Sequence, residues 1–141
     1  MKQKVVLSIL GRQSYMGQDP DQIELVTEGV LEDQGNAWFL SYEESDLTGM
    51  GGVTTTFIVE SDKITLKRTG KLNSQMVFQE GVSHESLYQM EFGALMITVC
   101  ASRIHFELSE KGGYVDLVYG IEIEQNAAGV IDYHLEIKPK E

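Results

Sequence analysis

The stretch Tyr114-Val115-Asp116-Leu117-Val118-Tyr119-Gly120-Ile121-Glu122-Ile123-Glu124 decides how the rest of the chain is read. Val115, Leu117, Tyr119, Ile121 and Ile123 recur at every second position, with Asp116, Glu122 and Glu124 between them. A strand sends successive side chains to opposite faces, so this alternation builds one dry and one wet face, as in an antiparallel sheet packed on one side. The last stretch of the chain repeats it, with Ile131, Tyr133, Leu135 and Ile137 set against Asp132, His134, Glu136 and Lys138. The same period recurs in about ten segments divided by turn residues, and no helical periodicity of comparable clarity interrupts them.

Two hairpins can be placed in register, because opposed residues share a face and a slip of one inverts it. A two-residue turn at Ser61-Asp62 puts Val59 opposite Ile64, Phe57 opposite Leu66 and Thr55 opposite Arg68; on the other face Glu60 meets Lys63 and Thr56 meets Lys67. A four-residue turn from Glu110 to Gly113 sets Leu108 against Val115, Phe106 against Leu117, Ile104 against Tyr119 and Cys100 against Ile123. The segment 95–109 runs to about 15 residues against a usual 3–10, so it is expected to bend or bulge. A long meander must also dispose of its edges, and closure removes them. The expected fold is therefore all-β: one domain over residues 1–141, a closed antiparallel meander β-barrel of about eight to ten strands. Ser14 to Gln22 and Asp46 to Gly52 read as loops within it.

The chain has 141 residues, and its 11 Lys+Arg against 22 Asp+Glu leave a net charge of −11. That balance argues against a nucleic acid or an anionic membrane as the main partner, since each needs a basic patch. Cys100 is the single cysteine, so no intrachain disulfide forms and a reducing, cytoplasmic setting is expected. The apolar run Val5 to Leu10 is broken by Gly11 and Arg12. It is shorter than the stretch of about 7–15 residues a signal peptide requires, and far short of the roughly 20 of a membrane helix.

The informative residues are polar groups on faces that should be dry. If Trp38 and Leu40 point inward, alternation carries Tyr42 and Glu44 inward too, and the middle hairpin sends Arg68 in behind Leu66. A buried charge is costly alone, so the expected resolution is a Glu44–Arg68 ion pair, with Thr55 or a tyrosine hydroxyl completing its hydrogen bonds. Two readings follow. The pair anchors an anionic or zwitterionic small molecule in the lumen, with Arg68 offering a planar fork, or it plugs a filled small barrel. Tyr42, Tyr88 and Tyr119 are the candidate walls; Tyr133, Trp38 and Phe78 share their spacing, which also suits plain core packing. Met76, Met90 and Met96 fit either an adaptable binding surface or gap filling.

Other chemistry is poorly supplied. His84, His105 and His134 lack metal-ligand spacing, and the His134 and Glu136 that project together make no closed site, so no metal is expected. Cys100 is expected on the buried face beside Thr98 and Ser102, as an inert small side chain. Glu43 and Glu44 face opposite ways along a strand and cannot act as a carboxylate pair. The run Leu47-Thr48-Gly49-Met50-Gly51-Gly52 lacks the Gly-Lys-Ser/Thr ending of a phosphate loop, so no cofactor is expected. No catalytic residue is assigned.

Leu40-Ser41-Tyr42-Glu43-Glu44, Arg68-x-Gly70, Met76-x-Phe78 and Tyr88-x-Met90-x-Phe92-Gly93 together resemble the bacterial YwiB-like family of unknown function. The resemblance spans most of the chain and implies a calycin-like barrel of the lipocalin type. It brings no catalytic residue set. The leading expectation is thus a non-catalytic barrel binding a small molecule in its lumen through Glu44, Arg68, Thr55, Tyr42, Tyr88 and Tyr119. The alternative is an interaction protein with a filled barrel, whose acidic exterior or strand edge engages a basic partner or a second copy as a homodimer.

Overall fold

A computed structural model describes residues 2–14, 21–44, 51–70, 73–90, 93–124 and 126–140, without the side chains of residues 21, 88–90, 127 and 128. Ten strands follow one another: β1 (Lys2–Ser14), β2 (Asp21–Asp33), β3 (Ala37–Glu43), β4 (Val53–Glu60), β5 (Ile64–Gly70), β6 (Ser74–Phe78), β7 (Ser83–Met90), β8 (Gly93–Ser109), β9 (Gly112–Ile123) and β10 (Asn126–Pro139). They form one sheet in the order β6-β5-β4-β3-β2-β1-β10-β9-β8-β7. Every ladder is antiparallel, and the chain's two ends meet where Val5–Ser14 pairs with Pro139–Val130.

The two sheet edges, β6 and β7, come together through the turn that joins them. Gln79 bridges Val82, Glu80 bridges Ala101, and the Gly81 amide donates to the Ala101 carbonyl at 2.9 Å. The meander therefore wraps into a nearly closed barrel, as expected of alternating strands that must hide both a dry face and their own edges. Among the described residues no helix is long and apolar enough to cross a membrane.

The β4–β5 hairpin adopts the expected register, with Thr55 opposite Arg68, Phe57 opposite Leu66 and Val59 opposite Ile64. The β8–β9 hairpin does not. Leu108 faces Gly113, Phe106 faces Val115 and Ile104 faces Leu117, so the turn is the two-residue Glu110-Lys111 rather than four residues. Gly112 and Gly113, at φ of 95° and 144°, permit this tighter reversal. A Cβ on Gly113 would drive into the Glu107 carbonyl. The slip is two residues, which keeps the side chains of 104–109 on their expected faces.

A bulge between Ala101 and Arg103 in β8 has the larger effect. It inserts Ser102 as an extra residue and reverses the alternation. Ile97, Val99 and Ala101 are buried before it; after it, Ile104, Phe106 and Leu108 pack on the core. Cys100 consequently faces Gly120, not Ile123, and leaves the buried face. It lies half-buried on the exterior in a depression shared with Ser83 and Thr98.

The two ends of the barrel differ. At one end the turns are short, at 34–36, 61–62, 79–82 and 110–111. Leu7, Leu40, Phe57, Phe78, Leu117 and Leu135 are among the fully buried side chains that fill the barrel from there. At the opposite end β1, β3, β5, β7 and β9 finish and β2, β4, β6, β8 and β10 begin. The glycine-rich run read as a loop falls largely on residues 45–50, and Ser14 to Gln22 largely on 15–20; both lie outside the described residues.

Candidate functional site

Alternation along β3 brings Tyr42 and Glu44 to the interior while Glu43 stays exposed, and β5 carries Arg68 inward beyond Leu66. These are the positions at which an inward-facing strand nears the end of the barrel opposite those turns, so polar groups here can reach one another above the apolar filling. Thr55, fully buried on β4 between Tyr42 and Arg68 in register, donates its hydroxyl to Glu44 Oε2 at 2.6 Å. The Tyr42 hydroxyl donates to the same carboxylate. Arg68, only 9% exposed, donates to the Tyr133 hydroxyl from across the lumen. Its Nε has no hydrogen-bond partner among the described residues.

The expected direct ion pair of Glu44 with Arg68 is not among those formed by the described residues. Tyrosines stand in its place. Glu44 takes hydroxyls from Tyr42 on its own strand and Thr55 on the adjacent β4, whereas Arg68 on β5 reaches the Tyr133 ring of β10 across the lumen. Burial, ahead of the neighbouring Tyr133 and the Glu44 carboxylate, holds the Tyr42 hydroxyl far above the usual phenol range. Burial likewise raises Tyr133, against the pull of the Arg68 guanidinium. Both rings stay protonated and act as hydrogen-bonding groups rather than bases.

These groups border a cavity of about 380 Å³. Tyr42, Glu44, Arg68, Tyr119 and Tyr133 give its polar and aromatic side, while Ile9, Ile23, Leu25, Ile97, Ile121, Ile131 and Met76 give an aliphatic one. The volume falls inside the range of small-molecule pockets, roughly 300–1,000 Å³. The described residues thus leave a cavity at this end of the lumen, while the fully buried side chains fill the other.

Of the residues singled out in the sequence, Glu44, Arg68, Tyr42 and Tyr119 border the cavity, and Thr55 supports Glu44 from behind. The side chain of Tyr88 lies outside the described residues. Phe78 is core, its ring 4.4 Å from that of Tyr119, and Trp38 lies at the other end beside Gln3 and Leu31. Gly11 and Gln13 on β1 were not anticipated as lining residues. Gly11 reads in sequence only as the break in an apolar run, yet it stands in the inward series Val5, Leu7, Ile9, Gly11, Gln13. A glycine within such a series is the available signal.

On the outer face, β8, β9 and β10 align His105, Asp116 and His134 in one cross-strand row. His134 Nδ1 meets Asp116 Oδ1 at 2.5 Å, and Nε2 lies 3.4 Å from Glu136 Oε1. The hydrogen bond that His134 donates to Asp116 first, and that to Glu136, raise its pKa despite the opposing effect of burial. Among the described residues no group of three His, Cys, Asp or Glu could hold a metal ion.

Comparison with known proteins gives the fold and a family without an activity. No curated protein matches. The crystal structure of the ywiB protein from Bacillus subtilis superposes with a TM-score of 0.87 at 23% identity, over 99% of this chain and 94% of that one. An overlap that complete shows the same barrel. Residues 7–137 match the family model described as a domain of unknown function, DUF1934, and the chain belongs to that family.

Proposed function

We propose that the protein binds a small organic anion in the open end of its barrel, with the Arg68 guanidinium as anchor and without covalent chemistry. The observation that carries this reading is the Arg68 Nε, buried and without a partner among the described residues, on a side chain that borders an aliphatic cavity. A buried donor without an acceptor costs about 1–3 kcal/mol, more when charged, and a ligand oxygen offsets that cost. Glu44, by contrast, already accepts two hydroxyls. The polar demand of the site is therefore for an acceptor, and the aliphatic wall favours an apolar body behind it. A carboxylate meets both conditions and matches the geometry of a guanidinium fork.

Octanoate, with octanol as its uncharged match, tests the reading by thermal shift and calorimetry. Octanoate at a hundred times its Kd should add about 2.7 kcal/mol of apparent stability, octanol far less, and Arg68→Met should abolish the difference between them. Equal responses to acid and alcohol, or an Arg68→Met protein that binds octanoate as tightly as the natural one, would overturn it. The competing reading, capture of a basic partner by the acidic exterior, predicts binding of oligolysine that salt removes and Arg68→Met leaves intact.

A further inference from the structure

Two glycines face the lumen from the same wall, and they do opposite things. Gly29 on β2 is filled by its neighbours: a Cβ there would lie 2.6 Å from the Ser41 carbonyl oxygen, 3.0 Å from Leu7 Cδ1 and 3.4 Å from Tyr42 Cβ. That glycine lets other side chains pack close. Gly11 on β1 has nothing among the described residues within 4 Å of the position a Cβ would take, and it borders the cavity. Its φ is not positive, so no backbone conformation demands glycine there. A strand interior favours β-branched residues, and glycine weakens it by leaving nothing to pack. The cost at Gly11 is offset by no turn, bulge or close approach.

The place of Gly11 in the barrel gives the omission a use. It pairs with Tyr133 on one side and Ile23 on the other, and Tyr133 is the ring that reaches across to Arg68. Gly11 lies on β1, four strands round the ten-stranded sheet from the β5 that carries Arg68. A molecule whose acid group sits on Arg68 therefore extends beside the Tyr133 ring and ends over Gly11. Resting on the anion-binding reading above, we infer that Gly11 sets the length of ligand the barrel accepts: the missing side chain is the space for the far, apolar end of a medium-chain monocarboxylate.

The test is calorimetric titration of the intact protein with butyrate, hexanoate, octanoate and decanoate, repeated on Gly11→Val and Gly11→Ala. The added isopropyl group occupies the space of about three ligand carbons, so Gly11→Val should bind the longest acid that the natural protein accepts at least tenfold more weakly. Affinity for the shortest acid that binds should change less than threefold, and Gly11→Ala should fall between. Near-natural melting of Gly11→Val confirms that the space was free; if that variant does not fold, Gly11→Ala decides by its graded loss. A folded Gly11→Val with an unaltered chain-length profile overturns the role of Gly11 while leaving anion binding in place. Failure of the natural protein to bind any of the four acids removes the anion-binding reading itself, and the role of Gly11 with it.

Discussion

The two ends of the barrel are made from the same strands with the same alternation, yet one is a solid and the other a cup. At the short-turn end, Phe57, Phe78, Leu117 and Leu135 meet at 0 to 1% exposure. At the other end, the inward positions of β3, β5 and β10 carry Glu44, Arg68 and Tyr133, and β1 carries Gly11. The packed end repays every side chain with dispersion contacts and dehydration. The cup leaves a cavity of about 380 Å³ and a guanidinium nitrogen without a partner among the described residues, both unfavourable for stability alone. The lesson is a division of labour along one axis: stability resides at the floor, and the features that cost stability gather at the mouth.

The sharpest way to break this contrast is to cut both ends and compare. Phe78→Ala removes a ring in contact with Tyr119 and should cost about 3–5 kcal/mol in urea unfolding. Arg68→Met should cost less than about 1 kcal/mol, because it replaces an incompletely satisfied buried charge with an unbranched apolar chain of similar reach. If the two variants lose comparable stability, Arg68 is a structural plug and the division fails. A smaller effect sharpens the mouth itself. Glu44→Gln removes the negative charge that faces the same cavity as Arg68, and should raise octanoate affinity about three- to tenfold in calorimetry, with at most about 1 kcal/mol of stability lost from the Thr55 and Tyr42 hydrogen bonds.

The smallest effect is expected outside the barrel, where solvent screens what burial amplifies at the mouth. Asp116 favours the protonated form of His134 in the fold, so the folded pKa lies above the unfolded value of about 6.5. The pair's contribution is therefore complete below about pH 6.5 and is lost as pH rises through the raised folded value. Asp116→Asn should flatten that slope above about pH 6.5, changing stability by only about 0.2–1 kcal/mol, as exposed pairs do. A slope unchanged by the substitution would place the titration on another group.

The sequence is most transparent where one rule acts locally. Period-two alternation in 114–124 and 131–137 reports a one-sided sheet because strand geometry ties each side chain's direction to its position. The β4–β5 register is legible for a similar reason: Glu60 and Lys63 flank a two-residue turn, and any odd slip would bury Lys67. The same alternation sends Tyr42, Glu44, Thr55 and Arg68 inward, where the structure has them buried. It failed in β8, where one inserted residue at Ser102 reverses the faces, and Cys100 came out where it was expected in. Nothing in Cys100-Ala101-Ser102-Arg103 marks that insertion, since it answers to the pairing of β8 with β9 and not to local preference.

The order of residues alone determined the all-β class, the meander and the burial of an acid and a guanidinium, because each follows from covalent geometry repeated along a strand. Only the tertiary structure decided that these charges meet tyrosines instead of each other, that Gly29 is filled and that Gly11 is open. Those outcomes depend on how far apart opposite walls stand, and that distance is set by the closure of ten strands together, to which no short stretch of sequence has access.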